Sequence, residues 1–247
     1  MKIKLFGKNL HDISGILEKY QFQDSGCETP ELIVTYGGDG ALLGAERDFP
    51  GIPKLPLRDS ATAPTCALHQ AEKIIEDFLN GKLKKSELPR LQASAPGGKL
   101  SGINDLVIHP LEYTSALRCR VFINGILHSQ DVVGDGICFA SAHGSTAYYR
   151  SITRGTFQIG VGLAFNNSSE AVNHLVLPEN SVIRIEITRG PGLLMADNDP
   201  RKIEVAVGES ITLCQNGTPA IIWGLEGFMC PQCRKLRHHL RSLNENE

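Results

Sequence analysis

A chain of 247 residues has room for one large domain or two smaller ones, and its 41% apolar and 21% charged residues are ordinary for a soluble globular protein. A formal net charge of −2 gives no overall field to attract nucleic acid or an anionic membrane surface, and no run approaches the roughly 18 apolar residues of a membrane span. Seven scattered cysteines, an odd count, argue against a disulfide framework and for a reducing, cytoplasmic setting.

The opening "MKIKLFGKNL" has no apolar h-region behind its lysines, so a signal peptide is not expected. "KIKLF" reads as a short strand. A helix follows, with Leu10, Ile13, Ile16, Leu17 and Tyr20 on one face and Asn9 as its N-cap. "ELIVT" is a buried strand that runs into the glycine turn "TYGGDGALLG", and "ALLGAERDF" starts a helix there. "GIPKLPL" is a further strand. "QAEKIIEDFLNGK" is a helix with Ile74, Ile75, Phe78 and Leu79 as its stripe and Gly81 at its C-terminal cap. This alternation predicts an α/β domain with a Rossmann-like parallel sheet over residues 1–92.

Past residue 88 the helical patterns give way to short β-rich runs, with Asn124-Gly125 as a hairpin turn between two of them. Their spacing predicts an all-β sandwich over 98–224, joined to the first domain through "ASAPGGKLSG" as a linker. Residues 225–247, "PQCRKLRHHLRSLNE" included, read as a helical tail that could pack back on the first domain.

The glycine turn is a ready anion site, because free N–H groups and the dipole of the following helix point at it. Gly38, Gly40 and Gly44 approach a dinucleotide fingerprint, with the last spacing one residue too long. Asp39 in their midst would repel a pyrophosphate. Mg²⁺ between the charges, or a substrate hydroxyl that gives its proton to the carboxylate, removes the conflict, and both belong to phosphoryl transfer. A tight turn with Asp39 capping the helix, and a dehydrogenase, are the other readings. Further on, "GDGICFASAHGSTAYYRS" (134–151) has a strand core, a polar turn and small residues able to start a helix. Ser145, Thr146 and the ring of Tyr148 could hold a nucleoside there.

Taken together, "GGDG" (37–40), "IND" (103–105), "GDGICFASAHGSTAY" (134–148) and "HLVLPENSVIRIEI" (174–187) resemble the NAD kinase family, in its order and at about its spacing. The resemblance covers most of the chain. It implies a phosphotransferase that makes NADP from NAD, with ATP or polyphosphate as donor and Mg²⁺ as cofactor. Asp39 would be the general base for the adenosine ribose 2′-hydroxyl, and Gly37, Gly38 and Gly40 would lie along phosphates. Asn104 and Asp105 would hydrogen-bond a ribose or adenine group, and Asp135 would lie near the nicotinamide end, often across a subunit interface. Thr146, Ala147 and Tyr148 would line the nucleoside pocket. A homodimer or homotetramer is implied, with nucleotides as small-molecule partners and neither nucleic acid nor membrane.

The chain departs from the family in places. "LPLRDSATAP" (55–64) stands where small and apolar residues are expected. Arg58 there could pair with a phosphate or be a loop-surface charge, and the surface reading is preferred. His143 replaces a smaller residue in "SAHG", and "FNNSS" stands where many members have Pro-His. These changes keep open a kinase acting on another nucleotide or lipid hydroxyl, and a nucleotide-binding sensor without catalysis. In "CPQCRKLRHH", Cys230, Cys233 and His238 could supply three ligands to a structural Zn²⁺, with Cys214 or a partner chain as a fourth. A redox pair and two plain thiols are the alternatives.

Overall fold

The computed structural model describes residues 1–26, 29–59, 65–112, 114–228, 230–233 and 235–236. It divides into two compact units, Met1–Leu88 with the segment from Ala220 onward, and Pro89–Pro219.

The first unit opens with β1 (Ile3–Gly7), α1 (Ser14–Lys19), β2 (Leu32–Gly37), α2 (Asp39–Asp48), β3 (Lys54–Arg58), α3 (Ala71–Leu79) and β4 (Lys85–Leu88). Leu32, Ile33, Val34 and Tyr36 are all buried, the pattern of a strand covered on both faces. In α3 Ile74 and Ile75 face the core, and Gly81, at φ +67°, provides the left-handed residue that ends the helix. The expected first helix is split into a 3-10 turn, Leu10–Ile13, and α1. Asn9 precedes the turn without a capping bond. Its side chain donates instead to Asp59 Oδ2, at 2.8 Å.

The second unit holds β5 (Leu91–Ala95), β6 (Gly98–Gly102), β7 (Asp105–Pro110), β8 (Leu117–Ile123), β9 (Ile126–Gly134), β10 (Gly136–Ser141), α4 (Tyr148–Thr153), β11 (Val161–Asn166), β12 (His174–Leu177), β13 (Ile183–Arg189), β14 (Gly192–Ala196), β15 (Ile203–Val205) and β16 (Ser210–Gln215). They form two antiparallel sheets, β6-β5-β16-β13-β8-β9 and β12-β11-β10-β7-β14-β15. Alternate residues of both sheets, among them Val121, Ile185, Leu213, Ile108, Phe139 and Phe165, meet in one core. Asn124 and Gly125 turn β8 into β9 with φ of +52° and +81°, the mirror-image turn that strand twist favours.

The chain then returns to the first unit as β17 (Ala220–Trp223) and α5 (Leu225–Phe228). The first sheet has the order β1-β2-β3-β17-β4. Three corrections to the sequence reading follow. The first sheet is mixed rather than parallel: β4 leaves the unit and β17 re-enters it, so the two run antiparallel, with Ala220 opposite Leu88. Residues 220–223 belong to this sheet and not to the second domain. The stretch 93–102 is no linker. Ala95 pairs with Gly98 across a two-residue turn, and Leu91, Ala93 and Leu100 are buried, so the segment is a core hairpin. Among the described residues no helix is long and apolar enough to cross a membrane.

Candidate functional site

In the first unit, β2 ends at Gly37 and α2 begins at Asp39, so the G-G-D-G stretch is the strand-to-helix turn. Gly38 is the N-cap, with no side-chain capping bond, and Asp39 is already in the first helical turn. Asp39 therefore does not cap the helix. Its side chain is 52% exposed, whereas Arg58, whose Nη2 lies 3.6 Å from Asp39 Oδ1, is 3% exposed. Arg58 ends β3 directly beside Gly37 in the sheet register. Its Nε donates to the Phe228 carbonyl at 2.5 Å, and its guanidinium stacks 4.2 Å from the Phe228 ring. The surface reading of Arg58 is thus overturned: the strand register points it inward, where a backbone carbonyl, an aromatic face and a carboxylate receive it. Gly37 has φ +152°, and a Cβ there would meet the Ala41 Cβ at 2.8 Å. Gly38 has open space where a Cβ would stand. Gly40 lies exposed in the first turn of α2. The exposed carboxylate thus shares its turn with the N–H groups that begin a helix, the arrangement that suits an anion beside a proton acceptor.

In the second unit, two of the sequence motifs pack directly together. The Ser141 N–H and hydroxyl donate to the carbonyls of Asn104 (3.0 Å) and Ile103 (2.6 Å), and the Gly144 N–H donates back to Ser141 Oγ at 3.0 Å. A side chain at Gly144 would collide with the Asn104 backbone, so only glycine fits. Asp105 is buried and receives the Tyr148 backbone N–H. Burial, reinforced by the Asp197 carboxylate, raises Asp105 to about 7. Tyr148 is half-buried, accepts from Asn166 Nδ2 at 3.3 Å and meets the His109 ring edge-on with centroids 5.9 Å apart. Burial raises its hydroxyl pKa, with Cys138, Asp105 and Asp135 adding to the effect. The core aromatic is its neighbour Tyr149, 1% exposed. Thr146 and Ala147 are exposed in the turn that starts α4. Asp135 is exposed between β9 and β10. Its carboxylate accepts from Asn167 Nδ2 at 2.8 Å, and its carbonyl lies 3.0 Å from His109 Nδ1.

Several of these neighbours were missed in the sequence. Asp197 accepts the N–H groups of Ile103, Asn104 and Asp105 at 2.7, 2.9 and 3.0 Å, holding the Asn104-Asp105 turn. Nothing local marks it, because it comes from a strand end more than ninety residues away. His109, Asn166 and Asn167 likewise join Tyr148 and Asp135 only through sheet pairing.

Cys230 and Cys233 do gather with other ligands, but these are Cys66 and His69, and the four ligand atoms lie within 4.8 Å of one another. His238 lies outside the described residues, and Cys214 is in β16 of the second unit. The C-x2-H spacing of Cys66 and His69 was the readable signal.

The chain is similar to curated proteins named NAD kinase. That of Natronomonas pharaonis is 26% identical over 206 residues, covering 78% of this chain and 76% of the relative. That of Hahella chejuensis is 31% identical over 135 residues, covering 49% and 44%. The chain thus spans less than half the length of some of the relatives it matches. In three dimensions it resembles yeast NADH kinase complexed with NADH (TM-score 0.74, 16% identity, 92% of this chain and 86% of that one). It also resembles an NAD kinase from Archaeoglobus fulgidus in complex with ATP (TM-score 0.74, 17% identity, 98% and 99%). No protein-family profile matches.

Proposed function

We infer that this chain, a divergent member of the NAD kinase family, phosphorylates the 2′-hydroxyl of the adenosine ribose of NAD, with ATP or polyphosphate as donor, to give NADP. The observation that carries this reading is the exposed Asp39 carboxylate at the amide-rich start of α2, braced by buried Arg58.

A ribose hydroxyl is a weak nucleophile until its proton has somewhere to go. Asp39 accepts that proton as the ribose oxygen bonds the terminal phosphorus. The bond from that phosphorus to the bridging oxygen breaks, and ADP leaves. The proton later passes from Asp39 to solvent. Arg58 keeps the carboxylate in one place, so the hydroxyl meets an oriented base. Gly37, Gly38 and Gly40 would lie along phosphate oxygens at this turn, where the helix start favours negative charge. The exposed Asp39 carboxylate is the kind of oxygen donor that Mg²⁺ takes beside substrate phosphates, where the ion would neutralise the donor's charge.

In the second unit, Asn104 and Asp105 would bond a ribose or adenine group, and Thr146, Ala147 and Tyr148 would line the nucleoside pocket. Support comes from the packing of the 141–148 turn on Asn104 and from the exposure of Thr146 and Ala147. Asp135 would face the nicotinamide end, in a homodimer or homotetramer. Other acceptors, lipid or nucleoside, are not favoured, since the curated relatives carry the NAD kinase name.

The test is NADP formation from NAD, ATP and Mg²⁺, beside Asp39→Asn. Turnover that the substitution removes while nucleotide binding survives supports the reading. A wild-type protein that binds NAD yet forms no NADP with ATP or polyphosphate is a sensor, and the reading fails.

A further inference from the structure

We propose that Cys66, His69, Cys230 and Cys233 bind one Zn²⁺ as a structural centre, and that this centre fixes the backbone on which Arg58 rests. The metal site stands on its own geometry. Only its link to turnover rests on the kinase reading.

The four ligands arrive as two pairs, Cys66-x2-His69 and Cys230-x2-Cys233, each at the short spacing of a zinc half-site. A tetrahedral Zn²⁺ with Zn–S of about 2.3 Å and Zn–N of about 2.0 Å sets S···S near 3.8 Å and S···N near 3.5 Å. Here Cys66 Sγ lies 4.0 Å from Cys230 Sγ. His69 Nδ1 lies 3.6 Å from Cys233 Sγ and 3.0 Å from Cys66 Sγ. All four ligand atoms lie within 4.8 Å of one another, so an ion can enter with side-chain shifts of about an ångström or less. Two backbone N–H groups already point at sulfur: Cys66 N–H at Cys233 Sγ and Cys233 N–H at Cys230 Sγ, both at 3.3 Å. Such donors stabilise thiolate charge, as hydrogen bonds to ligating sulfurs do at metal centres. Three thiolates and an imidazole form a soft, closed set, which selects zinc over Mg²⁺ and leaves no open position for catalysis.

The consequence runs through the chain. His69 closes the 3-10 turn before α3, and its ring lies against Gly227, where a Cβ would come within 2.7 Å. Cys230 is two residues past Phe228, whose carbonyl and ring hold Arg58. One ion would tie the segment after β3 to the segment after α5, and so keep Phe228 under the guanidinium that braces Asp39.

The experiment uses the full chain, purified without chelator and measured by elemental analysis. One zinc per chain is expected. Cobalt exchange should give thiolate-to-metal charge-transfer bands and the intense visible bands of a tetrahedral ion. Cys66→Ser and Cys230→Ser should lose the metal. His69→Cys should keep it with an altered cobalt spectrum, and Cys214→Ser should leave metal and spectrum unchanged. Where a serine variant fails to fold, mercurial titration of the wild-type thiols decides instead: zinc should leave in step with thiol modification. Chelation should also lower the melting temperature. A metal-free chain that takes up no cobalt, or one whose Cys230 and Cys233 are recovered as a disulfide, overturns the proposal. Stoichiometric zinc without any NADP formation would leave the site standing and remove only the kinase reading.

Discussion

Arg58 and Asp39 face each other 3.6 Å apart across the start of α2, the cation almost sealed and the carboxylate half in solvent. A buried guanidinium beside an exposed acid sets where the acid can point. Arg58→Gln removes the charge and keeps a donor. Misplacing a reacting group by about an ångström can cost on the order of a hundredfold in rate. The expected result is a fall in kcat of roughly ten- to a hundredfold in NADP formation, with the KM for NAD little changed. An unaltered kcat would show that Asp39 needs no brace.

The two glycines before Asp39 should separate cleanly. Gly37 has a positive φ and no room for a Cβ, so Gly37→Ala strains the turn by about 1–3 kcal/mol and should lower the melting temperature. Gly38 has an ordinary φ of −99° and open space around it, so the fold itself does not demand glycine there. Gly38→Ala should melt like the wild type yet show a raised KM for the phosphate donor. Equal KM values in the two proteins would remove phosphate from that turn.

Asp197 is the support of the Asn104-Asp105 turn. Asp197→Ala leaves three backbone N–H groups without their acceptor, each worth about 1–3 kcal/mol when buried and unpaired. Chemical denaturation should register a loss of a few kcal/mol. NAD affinity, read by calorimetry, should fall more in Asp197→Ala than in Asp197→Asn, which keeps one acceptor oxygen.

What the sequence could and could not tell follows from the range of each interaction. The 3.6 and 2.0 periods of α3 and of the second unit's strands are local, so "QAEKIIEDFLNGK" and the Asn124-Gly125 hairpin were legible. The G-G-D-G turn was legible too, since strand, glycines and helix start lie within ten residues. The closing strand β17 was not, because pairing with β3 and β4 depends on where the chain returns after the whole second unit. Arg58 was misread for a related reason. A charged residue near prolines and serine looks like loop surface, and the strand register together with Phe228, 170 residues on, gives it a buried place. Cys66 and His69 could have been paired in the sequence, but their union with Cys230 and Cys233 is again a tertiary fact.

The buried Asp105 carboxyl makes stability depend on pH in a defined direction. Its folded value, about 7, lies above the ordinary 3.8, so between these values the folded chain holds a proton that the unfolded chain has released. Folding therefore loses stability from this group as pH rises from about 4 to about 7, and the loss is complete above that window. The difference could reach about 4 kcal/mol. Asp105→Asn cannot titrate. Relative to the wild type, its unfolding free energy should climb through that window and then level off. A constant difference across the window would mean that Asp105 titrates normally.

Lys54 and Glu46 form an ion pair inside the first unit, with side-chain exposures of 0% and 3%. Lys54 also donates to the Phe49 carbonyl at 2.6 Å, and Glu46 accepts the Gly51 N–H at 3.1 Å, so the pair ties the end of α2 to the start of β3. Burial lowers the Lys54 ammonium to about 7. Taking two charges out of water costs about what their attraction returns, whereas leaving one of them alone in the core is expensive. Lys54→Met should therefore cost about 3–5 kcal/mol in urea unfolding, because it strands Glu46. Lys54→Met combined with Glu46→Leu should recover most of that loss, for then neither charge is buried. Recovery by the second substitution is the decisive readout, since a purely steric defect at Lys54 would worsen when a second core side chain changed shape. Lys54 begins the strand that Arg58 ends, so the single variant should also lower kcat, and the double variant should restore it with the stability.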